Sequence, residues 1–141
     1  RQNAGQAVAR GIEAEFSQRW RAFTGGFSYL FSDSRFEDGL RVPQVPLHQG
    51  SARVSYSRGR TLLSWELRAY SSQWEDDLNA FLLPGFAVLH IRWQQQVTRN
   101  VSLIASLENV LNREYVVGYS PDARVGAPRM WRIGLRWNAG I

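Results

Sequence analysis

Seven stretches of this chain alternate apolar with polar residues, and no other feature restricts the fold as tightly. Successive side chains of a β-strand point to opposite faces, so a period of two marks a strand with one apolar and one polar face. In the first stretch Val8, Ile12, Ala14, Phe16 and Trp20 are interleaved with Gly11, Glu13, Glu15 and Ser17. In the second, Phe23, Phe27, Tyr29 and Phe31 alternate with Thr24, Gly26, Ser28 and Ser32. The third sets Ala52, Val54 and Tyr56 against Ser51, Arg53, Ser55 and Ser57, and the fourth sets Leu63, Trp65, Leu67 and Ala69 against Ser64, Glu66, Arg68 and Tyr70. Ala87, Leu89, Ile91 and Trp93 then alternate with Val88, His90, Arg92 and Gln94, and Val101, Leu103, Ala105 and Leu107 with Ser102, Ile104, Ser106 and Glu108. The last stretch pairs Trp131, Ile133, Leu135 and Trp137 with Arg132, Gly134, Arg136 and Asn138. No segment of similar length has helical spacing. The chain is expected to be all-β.

The polar face carries charge in mid-strand and must be wet or ion-paired, while the apolar face is almost free of polar residues and suits either a sandwich core or hydrocarbon lipid. The connections favour the second. They alternate short and long: Arg19 to Arg21, Asp33 to Gln49, Arg58 to Arg60, Glu75 to Pro84, Thr98 to Asn100, and Asn109 to Arg129. Tight turns on one side and extended loops on the other are the layout of an antiparallel up-and-down transmembrane β-barrel, whose short turns face the periplasm. A Greek-key sandwich has less reason to keep that order and is the alternative that the residues themselves leave open. Trp and Tyr concentrate at membrane interfaces, and Trp20, Tyr56, Trp93 and Trp137 fall at the short-turn ends of alternate strands, where they would form a lipid-facing aromatic belt. Phe31 and Trp131 would begin a second belt opposite.

Composition removes several function classes. There is no Cys, hence no disulfide framework, thiolate zinc site or cysteine nucleophile. The net charge is +5, but the arginines are scattered along the sequence rather than clustered, so no nucleic-acid partner is expected. No run approaches the roughly 18 apolar residues of a membrane helix. The first residues, Arg1-Gln2-Asn3-Ala4-Gly5, lack the basic-then-apolar layout of a signal peptide.

Ser106-Leu107-Glu108-Asn109-Val110-Leu111-Asn112-Arg113-Glu114-Tyr115, followed by Gly126-Ala127-Pro128-Arg129 and the strand from Met130 to Trp137, resembles the C-terminal end of TonB-dependent outer-membrane receptors. In that family an Asn-Leu-Phe-Asp-x-x-Tyr-like stretch leads to a long external loop, a Gly-x-Pro-Arg-like lead-in and a final strand. Gly11-Ile12-Glu13, the segment from Asp38-Gly39 to Pro46-Leu47-His48, and Leu83-Pro84-Gly85-Phe86 resemble further family pieces in the same order. The chain departs from the family at its end, Trp137-Asn138-Ala139-Gly140-Ile141, where an aromatic residue is usual; Ile141 keeps the outward phase of the last strand.

The resemblance implies that residues 1–141 are the C-terminal portion of a 22-stranded barrel, without the plug domain or the TonB box. Seven strands cannot close an up-and-down barrel with both ends in the periplasm, which also predicts an open segment. The implied function is uptake across the bacterial outer membrane of a metal chelate such as a ferric siderophore, or of cobalamin. The implied partners are outer-membrane lipid, the remaining strands and plug, TonB acting through the absent N-terminal part, and the barrel-assembly machinery acting through the last strand. A small structural or adhesive outer-membrane barrel is the alternative. An enzyme and a cofactor are not expected.

The candidate lumen wall comprises Glu13, Glu15, Glu66, Arg68, His90, Arg92, Arg132 and Arg136. Glu13 and Glu15 share a face, as acid–base carboxylates must, but Glu and Arg lining a hydrated lumen satisfy one another without chemistry. His48, on a predicted loop, and His90 lack the spacing of a metal pair. The candidate ligand vestibule comprises Glu75, Asp76 and Asp77, which would attract a cation, and Tyr115, Tyr119, Arg124 and Arg129, which suit stacking on and pairing with an anionic chelate.

Overall fold

The structure is a computed structural model that describes residues 6–119 and 122–139, and each of the seven alternating stretches is a strand in it. Ile141 lies outside the described residues. In chain order the strands are β1 (Ala7–Trp20), β2 (Phe23–Phe36), β3 (His48–Arg58), β4 (Thr61–Tyr70), β5 (Gln73–Trp74), β6 (Leu82–Leu83), β7 (Phe86–Gln96), β8 (Val101–Glu108), β9 (Val116–Tyr119), β10 (Ala123–Val125) and β11 (Met130–Trp137). Seven of them form one antiparallel sheet in the order β1-β2-β3-β4-β7-β8-β11. The remaining four are short ribbons, β5 with β6 and β9 with β10, folded into two of the long connections. No helix occurs among the described residues.

The sheet is a single layer. Leu83 and Val88 are the buried hydrophobic residues among those described, whereas Ile12 is 68% exposed and Trp131 74%. A water-soluble sheet must cover its apolar face with a second layer. Here that face is bare, which is the condition of a wall whose apolar side meets lipid.

Register keeps the two faces separate across the sheet. One row runs Trp20, Phe23, Tyr56, Leu63 and Trp93, all apolar. The polar rows run Glu15, Ser28, Ser51, Arg68 and Val88, then Ser17, Gly26, Arg53, Glu66 and His90. Because the side-chain period is two, a slip of one residue between any two strands would move charge onto the apolar face. Trp137 pairs with Val101 beside the third short turn.

The short turns are tight for identifiable reasons. Arg58 and Thr61 close a two-residue turn in which Gly59 adopts φ 58°, a conformation that favours glycine. The turn after Trp20 puts Arg21 at φ 53°, with its guanidinium 5.0 Å from the Trp20 ring centre. Thr98 Oγ1 accepts hydrogen bonds from the amides of Asn100 (3.2 Å) and Val101 (3.0 Å), closing the turn between β7 and β8.

Two expectations need correction. His48 is the first residue of β3, paired with Phe31 on the apolar face, where its Nδ1 meets the Tyr29 hydroxyl at 2.7 Å. The first long connection is shorter than its sequence span, because β2 continues to Phe36 and leaves 37–47 as loop. Ser32, Asp33, Ser34 and Arg35 are polar on both faces, so alternation ends there although hydrogen-bonded pairing continues.

Candidate functional site

The polar face is one ion-paired surface. Glu66 on β4 accepts from Arg53 on β3 at 2.9 Å and from Arg68 on its own strand at 2.7 Å, satisfying both carboxylate oxygens. Arg132 on β11 pairs with Glu108 on β8. Arg92, Ser106 and Arg132 share one row across β7, β8 and β11, with Arg136 nearer the short-turn end beside Ser102. Glu66, Arg68, His90, Arg92, Glu108 and Arg132 line a concavity of about 650 Å³ on this face. Glu13 lines a second concavity together with Arg68 and Tyr70. Glu13, Glu15, Glu66, Arg68, His90, Arg92, Arg132 and Arg136 therefore share one face, on which Glu66 and Arg132 are neutralised by ion pairs.

The three long connections form a joined layer at the other end of the sheet. Asn79 clamps Arg41: its Oδ1 accepts from the Arg41 amide at 2.8 Å and its Nδ2 donates to the Arg41 carbonyl at 2.9 Å. Gln44 donates its amide to the Trp74 carbonyl at 2.7 Å and its Nε2 to Glu75 Oε2 at 3.2 Å. Glu75 Oε1 accepts from the Tyr119 amide at 2.9 Å. Glu75 thus joins all three connections.

Asp76 works within its own turn. Its carboxylate accepts from the amides of Phe81 (2.8 Å), Ala80 (3.0 Å) and Leu78 (3.1 Å), and these bonds, that of Phe81 foremost, hold it below the usual aspartate range. Asp77 is exposed beside it. Among the described residues no three of His, Cys, Asp and Glu gather as a metal would require.

Tyr115 is half-buried and stacks on Phe86 with ring centres 4.2 Å apart, and Phe86 in turn contacts Tyr70 at 5.0 Å. Tyr70 and Phe86 sit on the polar face, so this aromatic stack closes that face at the long-connection end of the sheet. Gly126 lies directly under the Tyr115 ring, where any Cβ would collide with it. Tyr119 is 45% exposed, Arg124 pairs in register with Gly118, and Arg129 donates its amide to Asn112 Oδ1 at 3.1 Å.

Sequence reading missed Asn109. It is 1% exposed, has φ 47°, donates from Nδ2 to the carbonyls of Arg113 (2.8 Å) and Ala127 (3.0 Å), and accepts from the Arg113 amide at 2.9 Å. It ties both ends of the last connection together. Its own amide donates to His90 Nδ1 at 3.4 Å, which links the loop to the polar face of β7. The available signal was the Asn109-x-x-Asn112 spacing, since asparagine tolerates positive φ and bonds to nearby backbone.

The family described as TonB dependent receptor-like, β-barrel matches residues 1–110. No curated protein sequence matches the chain. Among solved structures, the chain is similar to the ferric yersiniabactin uptake receptor FyuA from Yersinia pestis, with 22% identity and TM-score 0.85 over 96% of this chain and 24% of that one. It is similar to BauA, the ferric preacinetobactin receptor from Acinetobacter baumannii, with 21% identity and TM-score 0.82 over 95% and 22%. The copper transporter OprC matches with 18% identity and TM-score 0.79 over 93% and 23%. The chain spans about a quarter of the length of these relatives. A lipid-facing apolar side, an ion-paired inner side and the family match over most of the sequence lead to one assignment: the chain belongs to the TonB-dependent receptor-like β-barrel family and forms part of a barrel wall in the bacterial outer membrane.

Proposed function

We propose that this wall is the C-terminal part of the 22-stranded barrel of an outer-membrane receptor that takes up a metal chelate such as a ferric siderophore, or cobalamin. The observation that carries the reading is the joined layer of connections, built around Glu75 and Asn79, standing over an ion-paired lumen wall. A structural barrel shares the polar interior but does not need a braced external layer. The wall supplies lipid contact, hydrated lumen and one side of an external vestibule. The plug closes the lumen, and TonB acts on the plug's N-terminal segment.

Tyr119, Arg124 and Arg129 are the ligand-facing candidates in the last connection, with Asp77 in the neighbouring ribbon. Glu75, Asp76 and Tyr115 hold these elements in place through the Tyr119 amide, the 78–81 turn and the Phe86 ring. Similar barrels include ferric siderophore receptors and a copper transporter, which supports a metal or its chelate as cargo. An enzymatic role is not proposed.

The test uses the complete receptor in a strain lacking the chromosomal copy. Uptake of labelled ferric chelates and cobalamin is measured with and without TonB. The reading expects TonB-dependent uptake of one such compound, and that compound should slow labelling of a cysteine placed at Asp122. Absence of TonB-dependent uptake across the panel, with the receptor folded in the membrane, contradicts it.

A further inference from the structure

The fold gathers arginines that the sequence scatters. Arg19, Arg21, Arg58, Arg60 and Arg99 are far apart in the chain, yet all lie at or next to the three short turns. All five are exposed, and none takes part in an ion pair among the described residues. The chain's 12 carboxylates lie elsewhere, on the lumen face, in the long connections or at the external strand ends. The short-turn rim alone thus carries as much positive charge as the +5 net charge of the whole chain.

We propose that this rim binds the headgroups of anionic phospholipid in the periplasmic leaflet. The proposal rests on the assignment of the short turns to the periplasm. Its geometry is that of an interface: the row Trp20, Phe23, Tyr56 and Trp93 marks the edge of the apolar face, and the arginines begin where that row ends. Arg58 follows Tyr56 by two residues on the same outward face. Arg21 rests against Trp20, so one side chain reaches hydrocarbon while its neighbour presents a guanidinium at headgroup level. A guanidinium binds phosphate oxygens in a fork and stays charged at any physiological pH. Basic residues beside a membrane segment favour anionic over neutral lipid. An acidic periplasmic protein is the other cationic-surface partner, but it would have to approach from below, whereas Arg21 and Arg58 adjoin the lipid-facing aromatics.

The test uses the full-length receptor in neutral detergent, titrated with phosphatidylglycerol or with phosphatidylethanolamine of the same acyl chains, bound lipid being counted by native mass spectrometry. The expected preference for phosphatidylglycerol is at least about fivefold, the gain from roughly one well-placed arginine at an anionic surface. It should vanish in Arg21→Gln/Arg58→Gln/Arg60→Gln/Arg99→Gln and survive when the same four become Lys. It should also survive Gln substitution of the external residues Arg10, Arg35, Arg113 and Arg129. If the fourfold Gln variant does not fold, Arg58→Gln/Arg60→Gln in one exposed turn should lower the preference part-way. An unchanged preference in a folded rim variant, or equal loss in the external control, overturns the proposal. Labelling of Arg60→Cys on intact cells by an impermeant maleimide overturns the topology and the proposal with it. A shielded cysteine together with an unchanged lipid preference overturns the lipid proposal alone.

Discussion

Leu67 and Arg68 are neighbours in β4 but face different surroundings, and the contrast between them is the clearest residue-scale consequence of the fold. Leu67 lies between Ala52 and Leu89 on the apolar face, and Arg68 reaches Glu66 on the polar one. Leu67→Arg in the complete receptor should cost about 2–4 kcal/mol, the depth-dependent cost of a cation on a barrel's lipid face. Arg68→Leu should cost about 1 kcal/mol or less, since it loses a solvent-exposed pair. Reversible unfolding in vesicles measures both, and equal costs would contradict the face assignment. Asp76 adds a pH-dependent prediction in an external turn. Its carboxylate titrates below an unfolded aspartate, so its stabilisation is complete above about pH 3.9 and disappears as pH falls through the lower folded value. Hydrogen exchange, corrected for intrinsic rate, should show the Phe81 and Ala80 amides protected at pH 5 as at pH 7, and Asp76→Ala should expose them at both. Loss of wild-type protection between pH 7 and 5 would contradict this. Sequence alone could not assign Glu75 its role, because its partners Gln44 and Tyr119 lie 31 and 44 residues away.

At the scale of elements, legibility followed length. Strands of eight to 14 residues repeat the period of two often enough to be read, and all seven separate an apolar face from a polar one. The ribbons β5–β6 and β9–β10, of two to four residues per strand, are too short to show any period. They are held instead by side chains acting on distant backbone, as Asn79 acts on Arg41 and Asn109 on Ala127. Asn109→Ala leaves two carbonyls and an amide without their buried partner and should cost about 2–3 kcal/mol. The loss should appear as faster exchange across the last connection, with β8 and β11 unaffected. If exchange there is unchanged, Asn109 is not the tie between the connection's ends. Sidedness follows from the same elements. Asp122→Cys, in the last connection, should react with an impermeant reagent on intact cells, and Arg60→Cys, in a short turn, should react only after the outer membrane is opened. Arg60 is preferable to Gly59 as a probe, because a side chain at φ 58° strains the turn. The reverse labelling pattern would invert the topology.

The described residues form a sheet with almost no core of its own, Leu83 and Val88 being the buried hydrophobics, and that follows from where the apolar residues lie. In a soluble domain of this size the aromatic and aliphatic face would be covered by a second layer. Among the described residues β1 pairs only with β2 and β11 only with β8, so both outer strands present open edges, which fits a segment of a larger barrel. Composition gave the +5 charge but not its placement, since only the fold brings the rim arginines together. The central claim is that one face of this sheet meets lipid and the other a wet lumen. A nitroxide scan of Leu63 to Arg68 in the complete membrane-embedded receptor, comparing accessibility to oxygen and to a water-soluble nickel complex, tests it most directly. Oxygen should dominate at Leu63, Trp65 and Leu67, and the nickel complex at Ser64, Glu66 and Arg68. A profile without that two-residue period, or with the faces exchanged, would contradict the account.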